Sequence, residues 1–297
     1  MPVVENNVGM QLDNIIVATD FEPESEIVTD YARLFAKHCS SKLTVAHIVD
    51  LSVASRSEAA VIGLVINQMR HNSAEQMDRT LNKLHDAGVR AHGKILEAHN
   101  PGEAVMRLAN EVGAYMIVMG THARHGLSKL ALGSCAEGVI HHAQCPVITL
   151  GPKVKKTATR VLNIGTIVFA TDLYHDTAEK AGVALEFAKD TGAKIYMCHV
   201  LQHSGKNFGD AIESQLKTES ALCKLIPQST YEWCSPEVIV EHGQVGDHIL
   251  QLARRVNADL IVMGAHRRAT WFTHLAEGVV EHVLAEAECP VMTICTD

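Results

Sequence analysis

At 297 residues the chain exceeds the usual single-domain size and suits two domains of roughly 100 to 150 residues each. A composition of 47% hydrophobic, 20% charged and 4% aromatic residues is that of a globular protein and excludes the low hydrophobicity of a disordered chain. The formal net charge of -8 argues against a nucleic-acid scaffold, which needs a surplus of Lys and Arg to displace counterions from phosphates.

The chain opens Met1-Pro2-Val3-Val4-Glu5-Asn6, without the basic start and apolar stretch of a signal peptide, and no later apolar run is long enough to cross a bilayer. The expected location is the cytoplasm, with no membrane partner. A first strand is predicted over Asn14 to Thr19, ending in Ala18-Thr19-Asp20. A carboxylate there can accept from a ribose or an adenine amino group; it can equally cap the helix that follows Pro23. That helix carries Ile27, Tyr31 and Phe35 at four-residue spacing, one apolar stripe. A second strand follows over Lys42 to Val49, then a long helical stretch from about Glu58 to Ala87, in which Met69 and Met77 are expected in the core. A third strand covers Arg90 to Leu96, and a helix follows with Val105, Ala109, Leu108 and Val112 on its stripe.

The fourth strand, Tyr115 to Met119, runs into Gly120-Thr121-His122-Ala123, nine residues, Gly133-Ser134 and the helical run Cys135-Ala136-Glu137-Gly138-Val139-Ile140-His141. Glycine allows close backbone approach to a phosphate, and the first amides of a helix offer unpaired donors and a positive dipole. A plain turn with a serine cap is the simpler reading of an isolated Gly-Ser. A fifth strand, Val147 to Leu150, precedes the basic segment 152–160, read as a solvated linker.

The second half then repeats the first. Ile15-Ile16-Val17-Ala18-Thr19-Asp20 recurs as Ile167-Val168-Phe169-Ala170-Thr171-Asp172, and His47-Ile48-Val49 as His199-Val200-Leu201, at an offset of 152. Tyr115 to His122 recurs as Asp259 to His266, and Cys145-Pro146-Val147 as Cys289-Pro290-Val291, at an offset of 144. The eight missing residues fall between His199 and Gly246, opposite the long helical stretch of the first copy. Short, nearly continuous apolar strands alternating with helices imply a doubly wound parallel sheet. The fold class is therefore α/β, two tandem Rossmann-like domains of five parallel strands flanked by helices, 1–151 and 161–297, joined by the linker 152–160.

The pattern Gly120-x-x-Ala123-x9-Gly133-Ser134 resembles the ATP-binding signature of universal stress proteins, Gly-x-x-Gly-x9-Gly-Ser/Thr. Asp20, the His47-Ile48-Val49 strand and Cys145-Pro146-Val147 also fall where that family places them. The resemblance covers nearly the whole chain in two copies. It implies a five-stranded parallel sheet and ATP in the first domain, with AMP or ADP as alternatives and Mg²⁺ as the one accompanying metal. By the resemblance, Ala18, Asp20 and the backbone of Ile48 surround adenine and ribose with Met119 beside them. Gly120, Ala123, Gly133 and Ser134 cradle the phosphates, and Thr121, His122 and Cys135 complete the candidate set. The family's pairing through its last strand implies an internal pseudo-dimer through residues 146–150 and 290–294, with homodimerisation as a further option.

Ala123 stands at the family's second glycine, where a positive φ costs alanine about 1 kcal/mol. The second copy departs further: Gly264-Ala265-His266-Arg267, nine residues, then Glu277-Gly278. Arg267 and Glu277 are expected to pair in a vacated phosphate site; the alternative is that both face solvent and Gly278 restores the helix-start glycine one residue later.

Eighteen histidines include His141-His142 near Cys145, and His122 near His125, yet no zinc tetrad assembles from spacing. Eight cysteines without a Cys-x-x-Cys pair read as buried reduced thiols. His122-Ala123-Arg124-His125-Gly126 is similar to a nucleotidylyltransferase signature but follows the wrong strand. No nucleophile and base can be assembled, so no catalytic residue is nominated and slow ATP hydrolysis is the most expected. The expectation is an ATP-binding stress-response switch with a protein partner of unknown identity; a nucleotide-hydrolysing or nucleotidyl-transferring enzyme and a nucleotide-free scaffold are the alternatives.

Overall fold

The computed structural model describes residues 13–54, 59–121, 132–155, 161–174, 176–202, 208–265 and 278–295. The first half runs β1 (Asn14–Ala18), α1 (Glu26–His38), β2 (Lys42–Asp50), a short α2 (Leu51–Ala54), α3 (Ala59–Asp86), β3 (Ala91–Ala98), α4 (Pro101–Val112), β4 (Met116–Gly120), α5 (Ser134–His142) and β5 (Val147–Leu150). The second half runs β6 (Thr166–Ala170), α6 (Thr177–Thr191), β7 (Lys194–Leu201), α7 (Phe208–Lys224), β8 (Glu237–His242), α8 (Val245–Arg255), β9 (Leu260–Ala265), α9 (Val279–Glu286) and β10 (Val291–Cys295). The length difference between the copies lies where the repeat locates it, since α3 has 28 residues and α7 has 17.

Each half is a parallel sheet in the order β3-β2-β1-β4-β5 or its equivalent, β8-β7-β6-β9-β10. Ile15, Ile16 and Val17 are fully buried because helices cover both faces. Phe35 of α1 and Met77 and Leu84 of α3 pack on one side, with Val105 and Leu108 of α4 and Val139 and Ile140 of α5 on the other. The chain therefore changes direction between β1 and β4, and their carboxyl ends frame a crevice. Met77 lies in this core, while Met69 is half-buried.

The two halves form one ten-stranded sheet, because β5 and β10 pair antiparallel with Ile148 opposite Met292. These two residues are repeat equivalents, as are Phe35 and Phe187, whose rings meet at 6.0 Å between α1 and α6. Contacts between equivalent residues define an internal two-fold, the isologous geometry of a dimer built into one chain. The linker charge is more than solvation: Lys153 bonds Glu286 at 2.5 Å and Lys155 lies 3.9 Å from Glu288. The segment passes the carboxyl end of α9, where acidic side chains are available to both. Across the same junction Cys295 Sγ donates to the His141 carbonyl at 3.3 Å, and Gly151 sits so close to the Leu284 carbonyl that a Cβ there would be 2.0 Å from its oxygen.

Candidate functional site

The β1 end is built as a turn that presents a carboxylate. Phe21 adopts φ +63, the left-handed region that costs a bulky residue of order 1 kcal/mol. Local bonds offset this: Phe21 N–H donates to Thr19 Oγ1 at 3.1 Å, and Asp20 Oδ1 accepts from Glu22 N–H at 3.1 Å and from Ser25 Oγ at 2.5 Å. His47 reaches across from β2 and donates Nδ1–H to the Thr19 carbonyl at 2.9 Å, which fixes its tautomer because a carbonyl only accepts. Its ring stacks on Phe21 with centroids 4.6 Å apart. Asp20 is thus a turn-holder through Oδ1, and among the described residues Oδ2 has no such partner.

The β4 end supplies the second wall. Thr121 N–H donates to the Leu150 carbonyl at 3.2 Å and its own carbonyl accepts from Gly133 N–H at 3.1 Å, which brings the start of α5 back beside the strand. Gly133 caps α5 with φ -67 and ψ 145, so Ser134 is the first helical residue and the serine-cap reading of this pair does not hold. Glu137 N–H is the first to close onto Gly133 O, at 2.9 Å. The amides of Ser134, Cys135 and Ala136 come before this first intrahelical donor and remain available to an anion. Gly102 of α4 permits this placement, since a Cβ there would sit 3.2 Å from the Cys135 carbonyl oxygen.

Between these walls lies a cavity of about 260 Å³ lined by Ala18, Asp20, Ile48, Met119, Gly120, Gly133, Ser134 and Cys135 from the candidate set. Thr121 is buried beside it and acts through its backbone. His122 and Ala123 lie outside the described residues, as do Arg267 and Glu277. Burial, with smaller contributions from Asp20 and Asp50, pushes the Cys135 thiol up to about 11, so it lines the cavity as a protonated apolar group. Residues the pattern search missed also line it, notably Glu24, Ser25, Asp50, Pro101 and Gly151. Asp50 ends the strand next to β1, and that position was the signal available for it.

The second half repeats the turn: Leu173 has φ +61, Leu173 N–H donates to Thr171 Oγ1, Tyr174 N–H to Asp172 Oδ1, and His199 Nδ1–H to the Thr171 carbonyl at 2.7 Å. Its helix, however, is capped by Gly278, and His282 N–H is the first to close, onto Gly278 O. The helix begins one residue later than in the first copy, because the residue at the register of Gly133 is Glu277. A cavity of about 550 Å³ opens here, lined by Ala170, Asp172, Val200, Met263 and Gly264 at the equivalent places. One ion pair beside it joins Lys180 to Asp176 at 2.6 Å, with the lysine 4% exposed in its side chain. Lys180 stands at the repeat position of Val28, and aligning the copies residue by residue would have found it.

Of the histidines suspected of metal binding, His122 and His125 lie outside the described residues, and His141 and His142 have other partners. His141 Nε2 meets Glu281 Oε1 at 3.1 Å and His142 Nδ1–H donates to the Gly138 carbonyl at 3.0 Å. All eight cysteines are free thiols, as expected, but the expected burial holds in full only for Cys198: Cys223 is exposed and the other six are partly buried. No helix among the described residues is long and apolar enough to cross a membrane.

The model described as the universal stress protein family matches residues 11–150 and 163–294. A universal stress protein of Mycolicibacterium smegmatis is 23% identical over 288 residues, 94% of this chain and 96% of the relative. Universal stress protein A homolog 1 of Coxiella burnetii is 28% identical over 144 residues, 48% of this chain and 99% of that protein. Among solved structures, a universal stress protein from Archaeoglobus fulgidus superposes with a TM-score of 0.72 at 21% identity, covering 96% of this chain and 99% of its own.

Proposed function

The chain belongs to the universal stress protein family, and from that premise we propose that its first repeat binds ATP and acts as a cytoplasmic, nucleotide-dependent stress-response switch. The observation that carries this reading is the convergence, at the direction change between β1 and β4, of the Asp20 carboxylate with the start of α5 around one cavity. A ribose hydroxyl donates to a carboxylate, and phosphate oxygens accept from the amides of Ser134, Cys135 and Ala136. Ala18, Ile48 and Met119 give the flat apolar walls that a base requires. Asp20, Glu24 and Asp50 make the cavity acidic, so the phosphates are favoured at the helix end, and Mg²⁺ carried with ATP would offset the charge. ADP and AMP fit the same arrangement with fewer phosphate contacts.

The functional division that follows is a nucleotide domain over 1–151, a linker over 152–160 and a partner domain over 161–297. In the partner domain Glu277 takes the register of Gly133, and a carboxylate there repels phosphates. Gly133 has backbone angles open to any residue, so Gly133→Glu transplants that difference without backbone strain. Calorimetric titration with Mg-ATP is expected to show affinity lowered at least about tenfold, ~1.4 kcal/mol, in this variant. Unchanged affinity in a folded Gly133→Glu protein would remove the first repeat as the phosphate site.

A further inference from the structure

The cavity of the second repeat differs from the first in charge as well as in its helix start. Among the described residues the first cavity is lined by three carboxylates, Asp20, Glu24 and Asp50, with no lysine or arginine. In the second, Gln202 takes the place of Asp50, and Lys180 takes that of Val28. A Cβ on Gly120 would meet Val28 Cγ2 at 3.3 Å, and a Cβ on Gly264 would meet Lys180 Nζ at 2.9 Å. The same helix thus packs on the same glycine with a valine in one repeat and an ammonium in the other. The fold does not require the charge there, and a buried ion pair adds little to stability over an apolar pair.

The opposite wall is polar and borrowed: His141, 4% exposed, enters from α5 of the first repeat and holds Glu281 at 3.1 Å. The reciprocal position in α9 is Ala285, so the first cavity receives no such group. Between the two walls the lining is mainly apolar, with Ala170, Val200, Ile249, Met263 and Val280; its second carboxylate, Asp172, sits at the β6 end and accepts from Tyr174 N–H.

We propose that the second repeat carries a ligand site of its own, which takes a small molecule with an apolar body and one anionic group seated on Lys180. The ammonium has three donors, and Asp176 takes one at 2.6 Å. Glu281 is engaged by His141, so its charge is held at the far wall. The site does not depend on ATP binding in the first repeat.

Two probes that share one apolar body separate the charge from the cavity. They are 1-anilinonaphthalene-8-sulfonate, a monoanion, and N-phenyl-1-naphthylamine, its uncharged counterpart, titrated by fluorescence against the full chain in saturating Mg-ATP. The sulfonate is expected to saturate one site and to bind about tenfold more weakly to Lys180→Met, with the uncharged probe unaffected. Asp176→Asn, which relieves the lysine of its partner, is expected to shift the sulfonate the other way. The uncharged probe also reports whether either variant keeps its cavity. Sulfonate affinity that ignores both substitutions, or that falls in step with the uncharged probe, would overturn the proposal.

Discussion

Asp20 has two tasks, and they separate by oxygen. Oδ1 holds the turn through Glu22 N–H and Ser25 Oγ, while the ligand reading uses the carboxylate's remaining capacity. Asp20→Asn keeps one carbonyl oxygen for the turn and removes the charge, so it is expected to leave the thermal midpoint within a few degrees and weaken ATP about tenfold, ~1.4 kcal/mol. Asp20→Ala should lose both stability and affinity, and equal ATP affinity in wild type and Asp20→Asn would detach this carboxylate from the ligand. Asp20, Gly133 and Ser134 were legible in the sequence because strand ends and helix starts are marked by local pattern. Asp50 and Lys180 carry weaker marks, a strand-end position and a repeat register, and only the neighbouring strand or the opposed glycine gives them a role. Gly102 was invisible for the same reason: its lack of a side chain matters only against the Cys135 carbonyl of another helix.

Helices α5 and α9 do different work on the two sides of the internal two-fold. At one junction Cys295 Sγ reaches the His141 carbonyl, and at its counterpart Gly151 is pressed against the Leu284 carbonyl. A Cβ placed 2.0 Å from that oxygen has backbone on both sides and nowhere to turn. Gly151→Ala is therefore expected to cost about 1 to 3 kcal/mol in urea unfolding, and Cys295→Ala less. A Gly151→Ala protein as stable as wild type would mean that the two halves separate at no cost. The strands were readable to within two residues from their apolar runs; for example β3 spans Ala91–Ala98 where Arg90 to Leu96 is predicted. The later start of α9 was open in the sequence, because Glu277-Gly278 allows two caps and only the closing bond from His282 decides between them.

As a whole the molecule is one open ten-stranded sheet with a pseudo-two-fold at its centre, and thiols withdrawn from solvent lie in both halves. Burial is the main cause that pushes Cys135 and Cys145 up to about 11, and Cys198 and Cys289 up to about 12, from an ordinary value of 9.0. Between pH 9 and those values the unfolded chain releases protons that the folded chain retains, so stability falls as pH rises through that window. Urea midpoints under reducing conditions are expected to be flat from pH 7.5 to 8.5 and to drop by pH 10.5; a midpoint unchanged at pH 10.5 would show that these thiols are not held in apolar surroundings. Two copies, a shared sheet and the departure of the second phosphate loop at Arg267 and Glu277 were legible from the repeat and the family resemblance, while the ammonium of Lys180 against Gly264 needed the structure. The most direct test of that inequality is the number of ATP molecules bound per full-length chain at saturation, by equilibrium dialysis against Mg-ATP. The asymmetric account predicts one; two, or none, would contradict it.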